Sequence, residues 1–247
     1  MPRLISYNVH RCVGMDRKLD LDRIVGVIAE YEPDIVCLQE LDVGRARTGG
    51  VDQAAEIARK LAMTVHFHPA MRVEAELYGD AVLTHLPERL VKTDVLPTVT
   101  GIPGLEPRGA LWVQIEIEGH DLNVMNTHFG LVPREQQRQA TALVGRDWLG
   151  RKDCTGPTIL TGDFNATSIT RPYRILTRRL DDAQRRLGLK PSVKTFPSSF
   201  PAIRIDHAFV SPEVQVTGVR SSFSPLARMA SDHLPLIVDF ELPPASA

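Results

Sequence analysis

A chain of 247 residues with 43% hydrophobic and 24% charged residues can bury a sizeable core, and no apolar run approaches the roughly 18 residues of a membrane span. Its formal net charge of −1 supplies none of the global basic footprint expected of a binder of long nucleic acid. Three scattered cysteines, Cys12, Cys37 and Cys154, lack CxxC spacing, which argues against a disulfide framework or structural zinc and leaves them as core thiols. The opening MPRLISYNVH has no long apolar stretch behind a basic start, so a cytoplasmic location is expected. Without repeats or linker-like composition shifts, a single domain over 1–247 is the economical reading.

Short apolar or alternating runs predict strands at 4–10 (LISYNVH), 34–40 (DIVCLQE), 80–86 (DAVLTHL), 110–118 (ALWVQIEIE), 122–129 (LNVMNTHF), 157–164 (PTILTGDF), 203–210 (IRIDHAFV) and 234–240 (LPLIVDF). In the fourth, Leu111, Val113, Ile115 and Ile117 share one face. Helical spacing predicts helices over 20–33, capped by an Asp and stopped by Pro33, over 52–62, and over 133–149 with a proline in its first turn. The arginine-rich stretch 171–190 reads as the solvated face of one or two short helices, with Ile175, Leu176, Leu180 and Leu187 inward. Contact with an anionic substrate is the minority reading there, and the ELPPASA terminus reads as a frayed end. Strands and helices alternate early and strands run consecutively later, so mixed sheets covered by helices are expected.

Polar residues fall at the ends of these runs: Asn8, Glu40, His128, Asp163 with Asn165, Asp206, and the SDH triplet 231–233. Each alone has a bland reading as a turn former or surface group. Charged and amide groups beside buried strands are unfavourable unless paired or coordinated, so together they point to one shared site at a sheet edge.

The motifs SYNVH, LQE, YGDAVLTHLP, NTHFG, GDFNA, RIDHAFVS and SDHLPL, in this order over nearly the whole chain, resemble the endonuclease/exonuclease/phosphatase (DNase I-like) superfamily of metal-dependent phosphoesterases. The resemblance implies an α/β fold, a four-layer α/β/β/α sandwich of two mixed sheets flanked by helices. It implies that Glu40 binds Mg2+, with Mn2+ as substitute, supported by Asn8 and Asp232. Asp163 resembles the catalytic aspartate with Asn165 as partner amide, and His233 the catalytic histidine with Asp206 orienting it. His128 takes the place of a phosphate contact, and Arg108 is carried as a substrate contact. Magnesium prefers oxygen ligands and keeps several waters, and a His–carboxylate pair can hold a cation against a phosphate. Either Asp163 or His233 can take the proton from water; Asp163 is favoured as base and His233 as cationic stabiliser.

Two features depart from the family pattern. Relatives often read YGNAILS where this chain has YGDAVLT, which puts Asp80 in place of an amide and adds negative charge near the site. On the helix after NTHFG, both Arg134 with Gln137 and Gln136 with Gln139 keep the family spacing, and neither is assigned. The other histidines read as surface or satisfied core residues, with His10 close enough to Asn8 to watch.

The forms NTHFG, TFPS and RIDHAF look nearer to the sphingomyelinase-like and general phosphodiesterase branch, so a small phosphoester or lipid headgroup is the expected substrate, with peripheral membrane contact open to it. A nuclease is the runner-up and a catalytically silent binding or scaffold member the third reading; the expected state is a monomer.

Overall fold

The computed structural model describes residues 1–244 of the chain. The last three residues of the ELPPASA terminus lie outside these; of its described part, Leu242 is buried and the Pro243 carbonyl accepts from His120 Nε2 at 2.7 Å.

In chain order the strands are β1 (Arg3–Asn8), β2 (Ile35–Val43), β3 (Thr64–Val73), β4 (Glu76–Thr84), β5 (Glu88–Val95), β6 (Gly109–Ile117), β7 (His120–His128), β8 (Thr158–Asp163), β9 (Asp181–Asp182), β10 (Asp206–Val210), β11 (Gln215–Ser221) and β12 (Leu236–Glu241). The helices are α1 (Leu21–Ala29), α2 (Gln53–Leu61), α3 (Pro133–Val144), α4 (Arg171–Leu176), α5 (Ala183–Arg186) and α6 (Pro225–Ala230). The strands form two six-stranded mixed sheets, ordered β11-β12-β1-β2-β4-β3 and β5-β6-β7-β8-β10-β9. Each contains one parallel pair, β1 with β2 and β7 with β8, flanked by antiparallel neighbours.

Period-two alternation builds the layers. Leu4, Ile35, Cys37 and Val82 face Leu111, Val113, Val124 and Ile159 between the sheets. The intervening residues Ile5, Val36 and Leu38 pack outward on Ile24 and Ile28 of α1 and Ile57 of α2. From the second sheet Trp112, Met125 and Leu160 pack on Ala140 and Leu143 of α3 and Tyr173 of α4. Three apolar seams separate four layers, and this is the α/β/β/α sandwich. Among the described residues, no helix is long and apolar enough to cross a membrane.

The helix starts follow the capping residues: Asp20 accepts from Arg23 N at 3.3 Å and Asp52 from Ala55 N at 2.9 Å. The expected helix over 133–149 is shorter. It ends at Val144 because Gly145 is extended (φ −74°, ψ 177°), after which a turn returns Trp148 to the same core. The 171–190 stretch is α4, the two-residue β9 and α5, with Leu176 and Leu180 buried.

Candidate active site

The topology gathers the strand-end polar residues at one end of the sandwich. Asn8, His128 and Asp163 terminate β1, β7 and β8, whereas Asp206 starts the antiparallel β10 and His233 precedes β12. In register, His128 stands beside Asp163 and Asp163 beside Asp206. Where the inter-sheet seam approaches this end it turns polar. Gln39 Nε2 donates to Asn126 Oδ1 at 2.7 Å, and Asn126 Nδ2 donates to the Leu38 and Ala81 carbonyls at 2.9 Å each. These bonds tie the two sheets together directly beneath the site.

Two local distortions aim the acids. In β2, Leu38 pairs with Ala81 and Leu41 with Gly79, so Gln39 and Glu40 together oppose Asp80 in a β-bulge. Glu40 takes φ 62° there, a conformation unfavourable for a non-glycine residue that turns its carboxylate out of the strand. Near the end of β8, Gly162 has φ 145°, and a Cβ on it would lie 1.8 Å from the Thr127 carbonyl. Only glycine fits beside β7 at this point.

Asp163 is the hub. Its Oδ2 accepts from Asn8 Nδ2 at 3.0 Å and lies 3.6 Å from both His128 Nε2 and His233 Nε2. Its Oδ1 accepts from the Asn165 backbone N–H at 2.9 Å. The same Asn8 nitrogen donates to Glu40 Oε1 at 3.0 Å, while Asn8 Oδ1 accepts from His10 N. Asn8 therefore meets both carboxylates with its nitrogen and holds them in place; in this arrangement its oxygen is turned away from them. Burial pushes the Asp163 carboxyl up to about 7, helped by the charge of Asp206 and opposed by His233 and the two hydrogen bonds.

His233 Nδ1 donates to Asp206 Oδ2 at 2.9 Å, and the Thr195 hydroxyl donates to the same oxygen. Burial would depress this imidazole, but the charges of Asp206 and Asp163 and the Asp206 hydrogen bond raise it to about 10, so it stays cationic at neutral pH. Phe196 covers the ring at 4.8 Å between centroids. The TFPS segment thus braces the His–Asp pair, a role the sequence reading had not given to Thr195 or Phe196.

His128 is the opposite case. Burial, then the positive charges of Arg108 and His233, hold it well below the usual imidazole range, so it is neutral. A guanidinium can only donate, so Arg108 Nη1, 3.1 Å away, makes His128 Nδ1 the acceptor and leaves the proton on Nε2. Nε2 lies 3.6 Å from Asp163 Oδ2 and 3.1 Å from Asn165 Nδ2, whose own acceptor is the Phe129 carbonyl at 3.0 Å. Arg108 is 7% exposed and paired with Glu106, so it stands behind His128 as well as lining the cleft.

The helix ambiguity resolves by burial. Gln136 Nε2 donates to the Gly130 and Asn165 carbonyls at 2.9 and 2.8 Å, and Gln139 accepts from Gly130 N, whereas Arg134 and Gln137 line a surface groove. Asp80 is 2% exposed, and burial raises it to about 7 against Arg108 and the Glu40 N–H. A protonated Asp80 offers one donor and one acceptor, much like the amide it replaces.

Asp163, Asn165, His128, His233, Arg108 and Phe196 line a cleft of about 330 Å³ with Glu40, Asp232, Tyr78 and Leu131. A larger cavity of about 880 Å³ between α3 and α4 contains none of them. Two places could hold a cation. Asp163, Asp206 and His233 offer ligand atoms within 4.8 Å of one another, but all three are buried and the imidazole is charged, which suits neither a hydrated nor a hard divalent ion. Glu40 and Asp232, with side chains 20% and 34% exposed, present oxygens to an open cleft where an ion can keep its waters. The oxygen-only donor set at Glu40 fits magnesium.

The chain matches the endonuclease/exonuclease/phosphatase family over residues 5–233. It is 27% identical to the uncharacterized protein YbhP of Escherichia coli K12, over 97% of this chain and 96% of that one. Its fold is similar to that of the mannosyl-6-phosphatase of Bacteroides thetaiotaomicron (TM-score 0.72, 20% identity, 98% of this chain and 100% of that one). The human Nocturnin catalytic domain with bound sulfate is comparable (TM-score 0.74, 21% identity, 98% and 94%). By the extent of the match and the strand-end carboxylate and histidine set, the chain belongs to the endonuclease/exonuclease/phosphatase family, whose members hydrolyse phosphoester bonds.

Proposed function

We propose that this protein is a Mg2+-dependent phosphoesterase that hydrolyses a small phosphoester or lipid headgroup by in-line attack of water. The observation that carries this reading is the single Asp163 oxygen flanked at 3.6 Å by one neutral and one cationic imidazole. The neutral His128 N–H and the Asn165 amide donate to nonbridging phosphate oxygens, and the cationic His233 stabilises charge developing on the phosphoryl group. Asp163, pushed up to about 7, is near the basicity that suits proton abstraction from water at neutral pH. Asp206 keeps His233 protonated and oriented, as the carboxylate of a His–Asp pair does. Glu40, with Asp232, would hold the divalent ion, which when bound neutralises phosphate charge and lowers the pKa of water.

A nuclease is the second reading, favoured by the cavity between α3 and α4, where Arg146, Arg171, Arg174, Arg178 and Arg179 meet without a lining carboxylate. The deciding experiment is a screen with Mg2+ or Mn2+ on bis(4-nitrophenyl) phosphate, 4-nitrophenyl phosphate, sphingomyelin, lysophospholipids and plasmid or abasic DNA. Turnover of a small ester, lowered about 10²- to 10⁴-fold in Asp163→Asn, is expected. Selective DNA nicking at low salt would promote the nuclease, and wild type as inert as the variant on every substrate would end the enzyme reading.

A further inference from the structure

Immediately after Asn8 the chain makes a left-handed turn through three consecutive non-glycine residues, His10 (φ 44°), Arg11 (φ 56°) and Cys12 (φ 58°). Each is disfavoured for a residue with a Cβ, and such strain persists only where the surroundings over-determine it. Here they do: His10 N donates to Asn8 Oδ1 (3.0 Å), Cys12 N to Val9 O (2.8 Å), Asp20 N to Cys12 O (2.9 Å) and Gln53 Nε2 to Arg11 O (2.7 Å). The turn brings His10 and Arg11 into the wall of the cleft that holds Asp163.

The two side chains are coupled. His10 Nδ1 lies 3.2 Å from the Val13 carbonyl, which can only accept, so the proton sits on Nδ1. Nε2 is then an acceptor, and Arg11 Nη2 donates to it at 2.6 Å. Of the other arginines lining the cleft, Arg47 is paired with Asp42 at 2.7 Å and Arg108 with Glu106 at 3.1 Å. Arg11 has no carboxylate partner among the described residues, and its Nε is buried without a hydrogen bond. A guanidinium held rigid and uncompensated beside a phosphate site is a fork for a carboxylate or phosphate.

We propose that Arg11, with His10 as its positioning residue, forms a subsite for a second anionic group on the substrate. The preferred substrates are then small phosphoesters whose alcohol carries a carboxylate or a further phosphate, in preference to the cationic choline headgroup. This rests on the phosphoesterase reading and narrows its substrate class.

The test uses three phosphodiesters that share a 4-nitrophenolate leaving group and differ in the other alcohol: ethanol (neutral), choline (cationic) and glycolate (anionic). With Mg2+, wild type should favour glycolate over ethyl roughly tenfold in kcat/KM, mainly through KM, with choline lowest. In Arg11→Gln that ratio should fall to about one; Arg11→Lys should retain part of it, and His10→Ala should lower it. A wild-type ratio at or below one, or a ratio unchanged in Arg11→Gln, overturns the subsite. Should Arg11→Gln melt below the assay temperature, an unchanged ratio in Arg11→Lys and His10→Ala overturns it instead. If no ester is turned over, the hydrolase reading fails and calorimetric binding decides the subsite. Pyrophosphate binding roughly tenfold tighter than phosphate in wild type but not in Arg11→Gln sustains it, and equal discrimination in both proteins overturns it.

Discussion

Replacing Asp206 by Asn tests the charge state on which the reaction scheme depends. The neighbourhood raises His233 from 6.5 to about 10 although burial works against it. The difference, about 10 − 6.5, is about 3.5 pH units, or on the order of 5 kcal/mol favouring the imidazolium over the imidazole. The imidazole is only 6% exposed, so solvent screening removes little of this. Asp206 contributes the 2.9 Å hydrogen bond and the leading favourable charge, with Asp163 contributing from 3.6 Å. A hydrogen bond to a charged group is worth about 1.5–3 kcal/mol, so Asp206→Asn should bring the deprotonation of His233 down by about one to two pH units. The alkaline limb of the kcat/KM profile on bis(4-nitrophenyl) phosphate should move down by the same amount. The stability sign follows: a raised imidazole contributes stability that is complete below about 6.5 and is lost as pH rises through about 10. Wild type should therefore lose more Tm than the variant between pH 7 and pH 10. The assays are pH–rate profiles and an NMR titration of His233; a limb and a His233 titration unmoved by the substitution would refute the imidazolium role.

Three further outcomes follow from the geometry. Glu40→Gln should raise the Mg2+ concentration for half-activation by about tenfold to a hundredfold while leaving Tm nearly unchanged; an unaltered metal titration would remove Glu40 from the ion site. Asp182 is buried and accepts from Arg204 and the Tyr173 hydroxyl; His207 and Arg204 hold its carboxyl well below the usual range despite burial. Asp182→Asn strands Arg204, so a loss of about 3–5 kcal/mol in denaturant unfolding is expected at pH 7, shrinking as pH falls below about 4, where wild type begins to lose the same contribution; a loss independent of pH would speak against the ion pair. Gly162→Ala places a methyl 1.8 Å from the Thr127 carbonyl, and a soluble variant with wild-type Tm would contradict the close approach of β7 and β8.

The missed strands have a common cause. β3, β5, β9 and β11 were absent from the sequence reading, and each stands at an end of its sheet. Edge strands are solvated along one side, so β5 (ERLVKTDV) carries exposed charge where the central β2, β7 and β8 are buried along most of their length. Periodicity reports burial, and it found the strands that burial defines. The helix starts at Asp20 and Asp52 were readable because a capping carboxylate acts within one turn. The early stop of α3 at Gly145 was not, because Trp148 continues the apolar spacing while the backbone has already turned.

For the site, local chain chemistry and motif order were enough to single out Asn8, Glu40, His128, Asp163, Asn165, Asp206 and His233, since polar groups at the ends of buried strands stand out in one dimension. What only the tertiary structure decided is how they face one another: Asn8 turning its nitrogen to both acids, Arg108 setting the His128 tautomer, Thr195 and Phe196 bracing His233, and Gln136 rather than Arg134 reaching the GDFNA loop. The left-handed turn that aims Arg11 belongs to the same class. Spacing along the chain specifies which residues end a strand; hydrogen-bond direction, tautomer and charge depend on neighbours tens to hundreds of positions away, brought together only when the two sheets pack.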